Sequence, residues 1–198
     1  MKLYLASGNA HKAQEFQALA DASGAEMQVL SARSLGGMPS VVEDTGTFVG
    51  NARKKAHALR VLAPADAWVL ADDSGLCVDA LSGAPGVESA YYAGPQSDGA
   101  ANLAKLLHVL RDVPGERRRA HFVCVLVLLS PTGKEQIFEG RCNGTLAEEA
   151  RGDHGFGYDP IFIPDGRKKS LAEMSEAQKN ALSHRARAWM ELRKALVG

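Results

Sequence analysis

Ala71-Asp72-Asp73-Ser74-Gly75 follows the apolar run Trp68-Val69-Leu70, and it hands two adjacent carboxylates and a hydroxyl to the end of a strand. Neighbouring acids repel unless a cation sits between them or one keeps its proton, so the pair is suited to a divalent metal or to proton transfer. The same five residues also read as a solvated turn.

A second candidate is Ser7-Gly8-Asn9-Ala10-His11-Lys12, a small-residue loop between a strand and a helix. There the backbone N–H groups, the positive end of the helix dipole and the charge of Lys12 suit a phosphate. The loop lacks the two spaced glycines and the Lys-Ser/Thr ending of a Walker motif. Asn9 serves equally as a plain helix cap.

Glu43 precedes a helix on which Asn51 and Lys55, four apart, share one face. Glu43 and Lys55 are either part of a site or an exposed ion pair. The run Gly152-Asp153-His154-Gly155-Phe156-Gly157-Tyr158-Asp159-Pro160 can stack on a flat ring and hydrogen-bond its edge, or be an irregular surface loop. Lys179 and Ser183-His184-Arg185 lie on a charged helical stretch, where solvation alone would explain them.

These groups need positioning elements. A first strand is expected over residues 2–6, then a helix from Lys12 with Phe16, Leu19 and Ala20 inward. A second strand is expected over 26–30, and a helix capped at Thr47 running to about 62 on a stripe of Phe48, Ala52, Leu59 and Leu62. Residues 68–71 form a strand entering the acidic loop, and 76–78 a short strand beyond it. A helix over 102–111 buries Leu103, Leu106, Leu107 and Leu110 and leaves His108 at the surface. The Val- and Leu-rich stretch 120–129 is a strand buried on both faces, followed by a turn at Pro131-Thr132-Gly133 and an antiparallel neighbour over 135–142. The last third is helical, opened by a capping box at Ser175-Glu176-Ala177-Gln178.

The 198 residues suffice for one domain with a sizeable core, or one domain folded into two lobes. Lys plus Arg equals Asp plus Glu, at 23 each, so no global field favours nucleic acid or an acidic membrane. A polyanion must be held by a local cluster. The longest apolar run, 122–129, is far short of the ~20 residues of a membrane helix, and residues 1–6 give way to polar ones too early for a secretory signal. A cytoplasmic protein is expected. Cys77, Cys124 and Cys142 have no metal-ligand spacing and read as reduced core residues.

Taken together, Ser7-Gly8-Asn9 with Lys12, Glu43 with Asn51 and Lys55, Asp72-Asp73-Ser74-Gly75-Leu76, Pro85-Gly86 with Ser89-Ala90, Phe156-Gly157-Tyr158-Asp159-Pro160, and Lys179 with Ser183-His184-Arg185 resemble the inosine triphosphate pyrophosphatase family. The likeness runs from Leu5 to Arg185, in the family's order. Tyr91 stands where the family commonly has Arg, and Ser7 where Thr is more frequent.

The resemblance implies an α/β fold: an elongated, twisted mixed β-sheet flanked by helices, with two lobes around a central cleft, assembled as a homodimer. It implies hydrolysis of ITP, dITP or XTP between the α and β phosphates. Lys12, Lys55 and the backbone amides of Ser7, Gly8, Asn9, Ala10, His11 and Lys12 would hold the polyphosphate, and Ser74 would also bind the substrate. Glu43 and Asp73, supported by Asp72, would bind Mg²⁺, and Asp73 would accept the proton of the attacking water. The base would lie on Phe156, within the loop that includes Gly157 and Tyr158. Its edge would be read by Asp159, His184 and Arg185, with Lys179 towards the ribose or phosphate. Two other readings remain: a Maf-like pyrophosphatase, whose opening loop typically carries Arg, and a non-enzymatic nucleotide-binding module, which would not need paired acids.

Overall fold

The computed structural model describes residues 1–24 and 26–197. Ala25 and Gly198, which a domain over 1–198 includes, and the side chains of Ala10 and Val197 lie outside the described residues. The chain forms two compact units: residues 1–73, 124–140 and 185–198, and residues 74–123 and 141–184. Its strands are β1 (Lys2–Leu5), β2 (Gln28–Ser31), β3 (Trp68–Val78), β4 (Arg119–Leu129), β5 (Glu135–Leu146) and β6 (Phe162–Pro164). Its helices are α1 (Ala10–Ala22), α2 (Phe48–Arg60), α3 (Gly99–Val109), α4 (Glu176–Asn180) and α5 (His184–Val197). The sheet order is β2-β1-β3-β4-β5-β6. β1 is parallel to both β2 and β3, and β5 is antiparallel to β6, so the sheet is mixed and the class α/β, as expected.

In the first unit, side-chain alternation along the strands sorts the core. Leu3, Leu5, Leu70, Leu126 and Leu128 pack with Phe16 and Leu19 of α1 and Trp189 and Leu192 of α5. Tyr4, Ala6, Val69, Ala71, Val127 and Leu129 pack with Ala52, Ala56 and Leu59 of α2. Each fully buried Leu contributes about 1.5–3 kcal/mol, so the two faces fix α1 and α5 on one side of β3 and α2 on the other. The second unit has its own core, with Leu106 of α3 and its C-cap Leu110 against Leu76, Phe122, Cys142, Leu146 and Phe162.

Several expectations change. β3 is one continuous strand through Asp72, Asp73, Ser74 and Gly75, with no acidic loop. The two carboxylates have cationic partners, and paired charges do not force the backbone out to water. α2 ends at Arg60, and Leu62 is exposed rather than part of the buried stripe; Phe48 is half-buried, and Ala56 joins Ala52 and Leu59. α3 starts at Gly99, because Asp98 caps it by accepting from the N–H groups of Ala100 and Ala101. The helical last third divides into α4 and α5. β6 had no expected counterpart, three residues being too short to carry a periodic signal.

Other expectations hold. Thr47 caps α2, Ser175 and Gln178 form the capping box of α4, and His108 is exposed. The three cysteines carry free thiols; Cys124 and Cys142 are buried, and Cys77 only partly. Among the described residues, no helix is long and apolar enough to cross a membrane.

Candidate active site

Because β1 lies between β2 and β3 and is parallel to both, the strand order reverses at its carboxyl end, Leu5, which pairs with Leu70 partway along β3. Open α/β sheets place ligands at such a point. Here the loop Ser7-Gly8-Asn9 leaves β1, and Asp72 and Asp73 stand on β3. Strand alternation puts Asp72 on the face of Leu70, towards α1 and α5, and Asp73 on the face of Ala71, towards α2. Their partners follow from this.

Asp73 faces α2. Lys55 Nζ donates to its Oδ1 at 2.7 Å, and Asn51 Nδ2 reaches its Oδ2 at 3.4 Å. The same ammonium donates to Glu43 Oε2 at 3.0 Å, so Lys55 bridges two carboxylates. Thr45 orients Asn51 by donating to its Oδ1 from Oγ1 at 2.8 Å. Burial pushes the Asp73 carboxyl up to about 6, against the pull of Lys55. Burial acts against the charge of Lys55 too, yet Asp73, Asp72 and Glu43 outweigh it and raise that ammonium's pKa. Asp73 is therefore a carboxylate poised to take a proton near neutral pH.

Asp72 faces the other way. It is ion-paired with Lys12, lies 3.7 Å from Arg185 Nε, and accepts from the Cys124 thiol at 3.3 Å. Burial would raise its carboxyl, but the charges of Lys12, Arg185 and Lys55 prevail and hold it well below the usual carboxylate range. Arg185 also donates from Nη1 to Glu15 Oε2 at 2.9 Å. Asp72 was expected to support the metal site beside Asp73. In this structure its carboxylate is paired with Lys12 of α1 and lies beside Arg185 of α5.

Mg²⁺ takes one or two carboxylates and completes its shell with waters and substrate phosphates. Glu43 and Asp73, two hard-oxygen donors already gathered on one cation, fit that demand. Among the described residues, no three His, Cys, Asp or Glu side chains form a metal group.

The Ser7–Lys12 loop is more self-contained than expected. Asn9 caps α1, its Oδ1 accepting from the N–H groups of His11 at 2.9 Å and Lys12 at 3.4 Å. The Asn9 N–H goes to Ser7 Oγ at 3.1 Å, and the Ser7 N–H to the Leu5 carbonyl at 2.9 Å. Four of the amides assigned to phosphate are thus engaged inside the loop. Gly8 and the His11 side chain are exposed, and Ala10 opens α1 with its backbone.

In the second unit, Asp159 Oδ2 accepts from Lys179 Nζ at 3.0 Å and from the Phe156 N–H at 3.0 Å. Lys179 Nζ also lies 5.0 Å from the centroid of the Phe156 ring. Phe156, Asp159 and Lys179 are brought together as expected of a ring-binding group. Tyr158 is not presented to a ligand: its ring is buried, and its hydroxyl donates to the Ser89 carbonyl at 2.8 Å. His184 is buried and stacked on Phe122 at 4.7 Å. Ser74 and Gly157 are half-buried.

Gly155 has φ +76°, and a Cβ there would lie 2.2 Å from Asp159 Oδ2. Gly155→Ala is expected to displace that carboxylate from Lys179 and destabilise the protein by about 1–3 kcal/mol. Urea denaturation checks this, and an unchanged midpoint would refute it.

Glu15 was not singled out from the sequence, and Asn51 was placed beside Lys55 without a role of its own. Both carried a signal, since each lies one turn from a lysine on the same helix, Asn51 from Lys55 and Glu15 from Lys12.

The sequence profile described as the Ham1 family matches residues 3–195. The chain is 65% identical over 196 residues to a dITP/XTP pyrophosphatase of Opitutus terrae, covering 97% of each. It is 48% identical to a protein of the same name from Leuconostoc mesenteroides, covering 99% of this chain and 96% of that one. Among solved structures, the Ham1 protein of Staphylococcus aureus matches with a TM-score of 0.85 at 36% identity, over 100% of this chain and 99% of that one. A HAM1 protein from Coxiella burnetii matches with a TM-score of 0.86, also at 36% identity, over 100% of this chain and 98% of that one.

Proposed function

From the premise that this chain belongs to the Ham1 family, we propose that it hydrolyses the non-standard purine nucleoside triphosphates ITP, dITP and XTP to the monophosphate and pyrophosphate. Such an enzyme removes deaminated purine nucleotides from the nucleotide pool. The observation that carries the reading is the Lys55 ammonium seated between Glu43 and Asp73. It gathers an acceptor carboxylate, a second hard-oxygen donor and a cation for phosphate at one buried point.

In the reaction, a water oxygen bonds to the α-phosphorus, the bond from that phosphorus to the α–β bridging oxygen breaks, and the water's proton goes to Asp73. Lys55 holds Asp73 in place, and Asn51 orients its second oxygen. Lys12 and Lys55 supply the positive charge that grips the polyphosphate. When bound, Mg²⁺ held by Glu43 and Asp73 would neutralise phosphate charge. Phe156 offers a stacking face, and Asp159, Lys179 and Arg185 offer charged groups for the edge and ribose. A cationic donor matches the 6-oxo group of hypoxanthine or xanthine and fails to pair with the 6-amino group of adenine.

The relatives named dITP/XTP pyrophosphatase support the substrate class. We extend the reading to a Mg²⁺-dependent cytoplasmic homodimer, which light scattering of the purified protein tests for mass. The deciding experiment is pyrophosphate release from ITP, XTP, dITP, GTP and ATP, with Mg²⁺ and with chelator. Release from ITP and XTP well above ATP, lost on chelation, is expected; equal rates for all five would refute the assignment.

A further inference from the structure

Resting on the phosphate and base assignments above, we propose that Asp72 is a positioning residue: a buried hub that sets Lys12 and Arg185 together, with Glu15 as the second anchor of Arg185. Lys12 and Glu15 are three residues apart on α1 and so project from neighbouring positions. Lys12 pairs with Asp72 of β3, Asp72 lies beside Arg185 of α5, and Arg185 returns to Glu15 of α1. The result is a chain of alternating sign, Lys12 to Asp72 to Arg185 to Glu15, built from three elements.

The Asp72 side chain is 0% exposed, and those of Arg185 and Glu15 are 6% and 11% exposed. In such surroundings each ion's position depends on the others, and losing one carboxylate leaves two like charges facing each other. The Cys124 thiol adds a donor to Asp72 from β4. Asp72 faces two cations from two elements, whereas Glu43 and Asp73 are two carboxylates converging on one cation, Lys55. One carboxylate thereby couples the phosphate grip to the reading of the base, without touching the substrate.

Asp72→Asn and Glu15→Gln test this, each first verified as folded by a cooperative thermal transition. Three readouts are taken: Mn²⁺ binding by electron paramagnetic resonance, inhibition by tripolyphosphate, and the kcat/KM ratio of ITP to ATP. Asp72→Asn should leave the Mn²⁺ dissociation constant within about twofold, raise the tripolyphosphate inhibition constant about tenfold or more, and lower the ITP to ATP ratio about tenfold or more. Glu15→Gln should lower that ratio and move tripolyphosphate inhibition much less than Asp72→Asn does, because it anchors Arg185 while Lys12 keeps its pair with Asp72.

A Mn²⁺ affinity about tenfold weaker in Asp72→Asn would make Asp72 a metal ligand and overturn the proposal. Unchanged inhibition and an unchanged ratio would overturn it too, reducing Asp72 to a support of the fold. If Asp72→Asn does not fold, Glu15→Gln decides, and an unchanged ratio in that variant overturns the hub. A parent protein inactive on ITP would instead refute the proposed function, while the Mn²⁺ readout, which needs no turnover, would still judge whether Asp72 is a metal ligand.

Discussion

Asp73→Asn is expected to lower kcat by at least about a hundredfold while ITP still binds, since a general base contributes roughly 10²–10⁴ in rate. The amide is nearly isosteric with the carboxylate and its oxygen can still accept from Lys55, but its nitrogen would face the Asn51 Nδ2 donor and it cannot take the water's proton. Pyrophosphate release under saturating ITP, beside equilibrium binding of ITP, separates the two effects. A variant retaining more than about a tenth of the parent kcat, a barrier change under ~1.4 kcal/mol, would remove Asp73 from the mechanism.

The pH profile follows with the same sign. Burial lifts the Asp73 carboxyl to about 6, and only the ionised form accepts a proton. Activity is therefore lost as pH falls through that value and is full above it, and kcat/KM, which reports the free enzyme, should carry this acid limb. Raising Mg²⁺ should move the limb to lower pH, because a bound cation favours the ionised carboxylate. A limb that persists unchanged in the residual activity of Asp73→Asn would assign it to another group.

Replacing Arg185 should have the second largest effect, and it should appear as lost discrimination. Arg185→Ala is expected to reduce the ITP to ATP ratio of kcat/KM by at least about tenfold, because an unmatched polar edge is what penalises the wrong base. The alanine also leaves Glu15 and Asp72 without their shared guanidinium, which costs stability as well. Arg185→Lys is the cleaner companion. It keeps the charge but not the planar fork, so the ratio should fall while the fold is spared more of that cost. Phe156→Ala provides the contrast, weakening ITP and ATP alike by roughly 1–3 kcal/mol, since every base has a face to stack. Steady-state kinetics on ITP, XTP, GTP and ATP distinguishes the patterns. An unchanged ratio in both Arg185 variants would shift recognition to the Phe156 and Asp159 loop.

Much of this was legible in the chain itself. The apolar periods gave α1, α2 and α3 their inward faces, Thr47 and Ser175 marked where two helices begin, and the spacing of four between Asn51 and Lys55 already put them on one side of α2. Those are local rules, acting within a turn or two of helix. The identity of the acidic pair and of the Phe156, Asp159 and Lys179 group was equally visible, because residue type and order carry it.

Tertiary structure alone decided which partner each charge would meet. Asp73 finds Lys55 from 18 residues away and Arg185 finds Glu15 from 170, separations that no local pattern encodes. The same distance explains the misread acidic loop. Asp-Asp-Ser-Gly has the composition of a turn, yet cations delivered by α1, α2 and α5 let it continue as strand. Once it is strand, pleating sends Asp72 and Asp73 to opposite faces. One acid then meets Lys12 and Arg185 and the other Lys55 and Asn51, partners set by what packs on each face of β3.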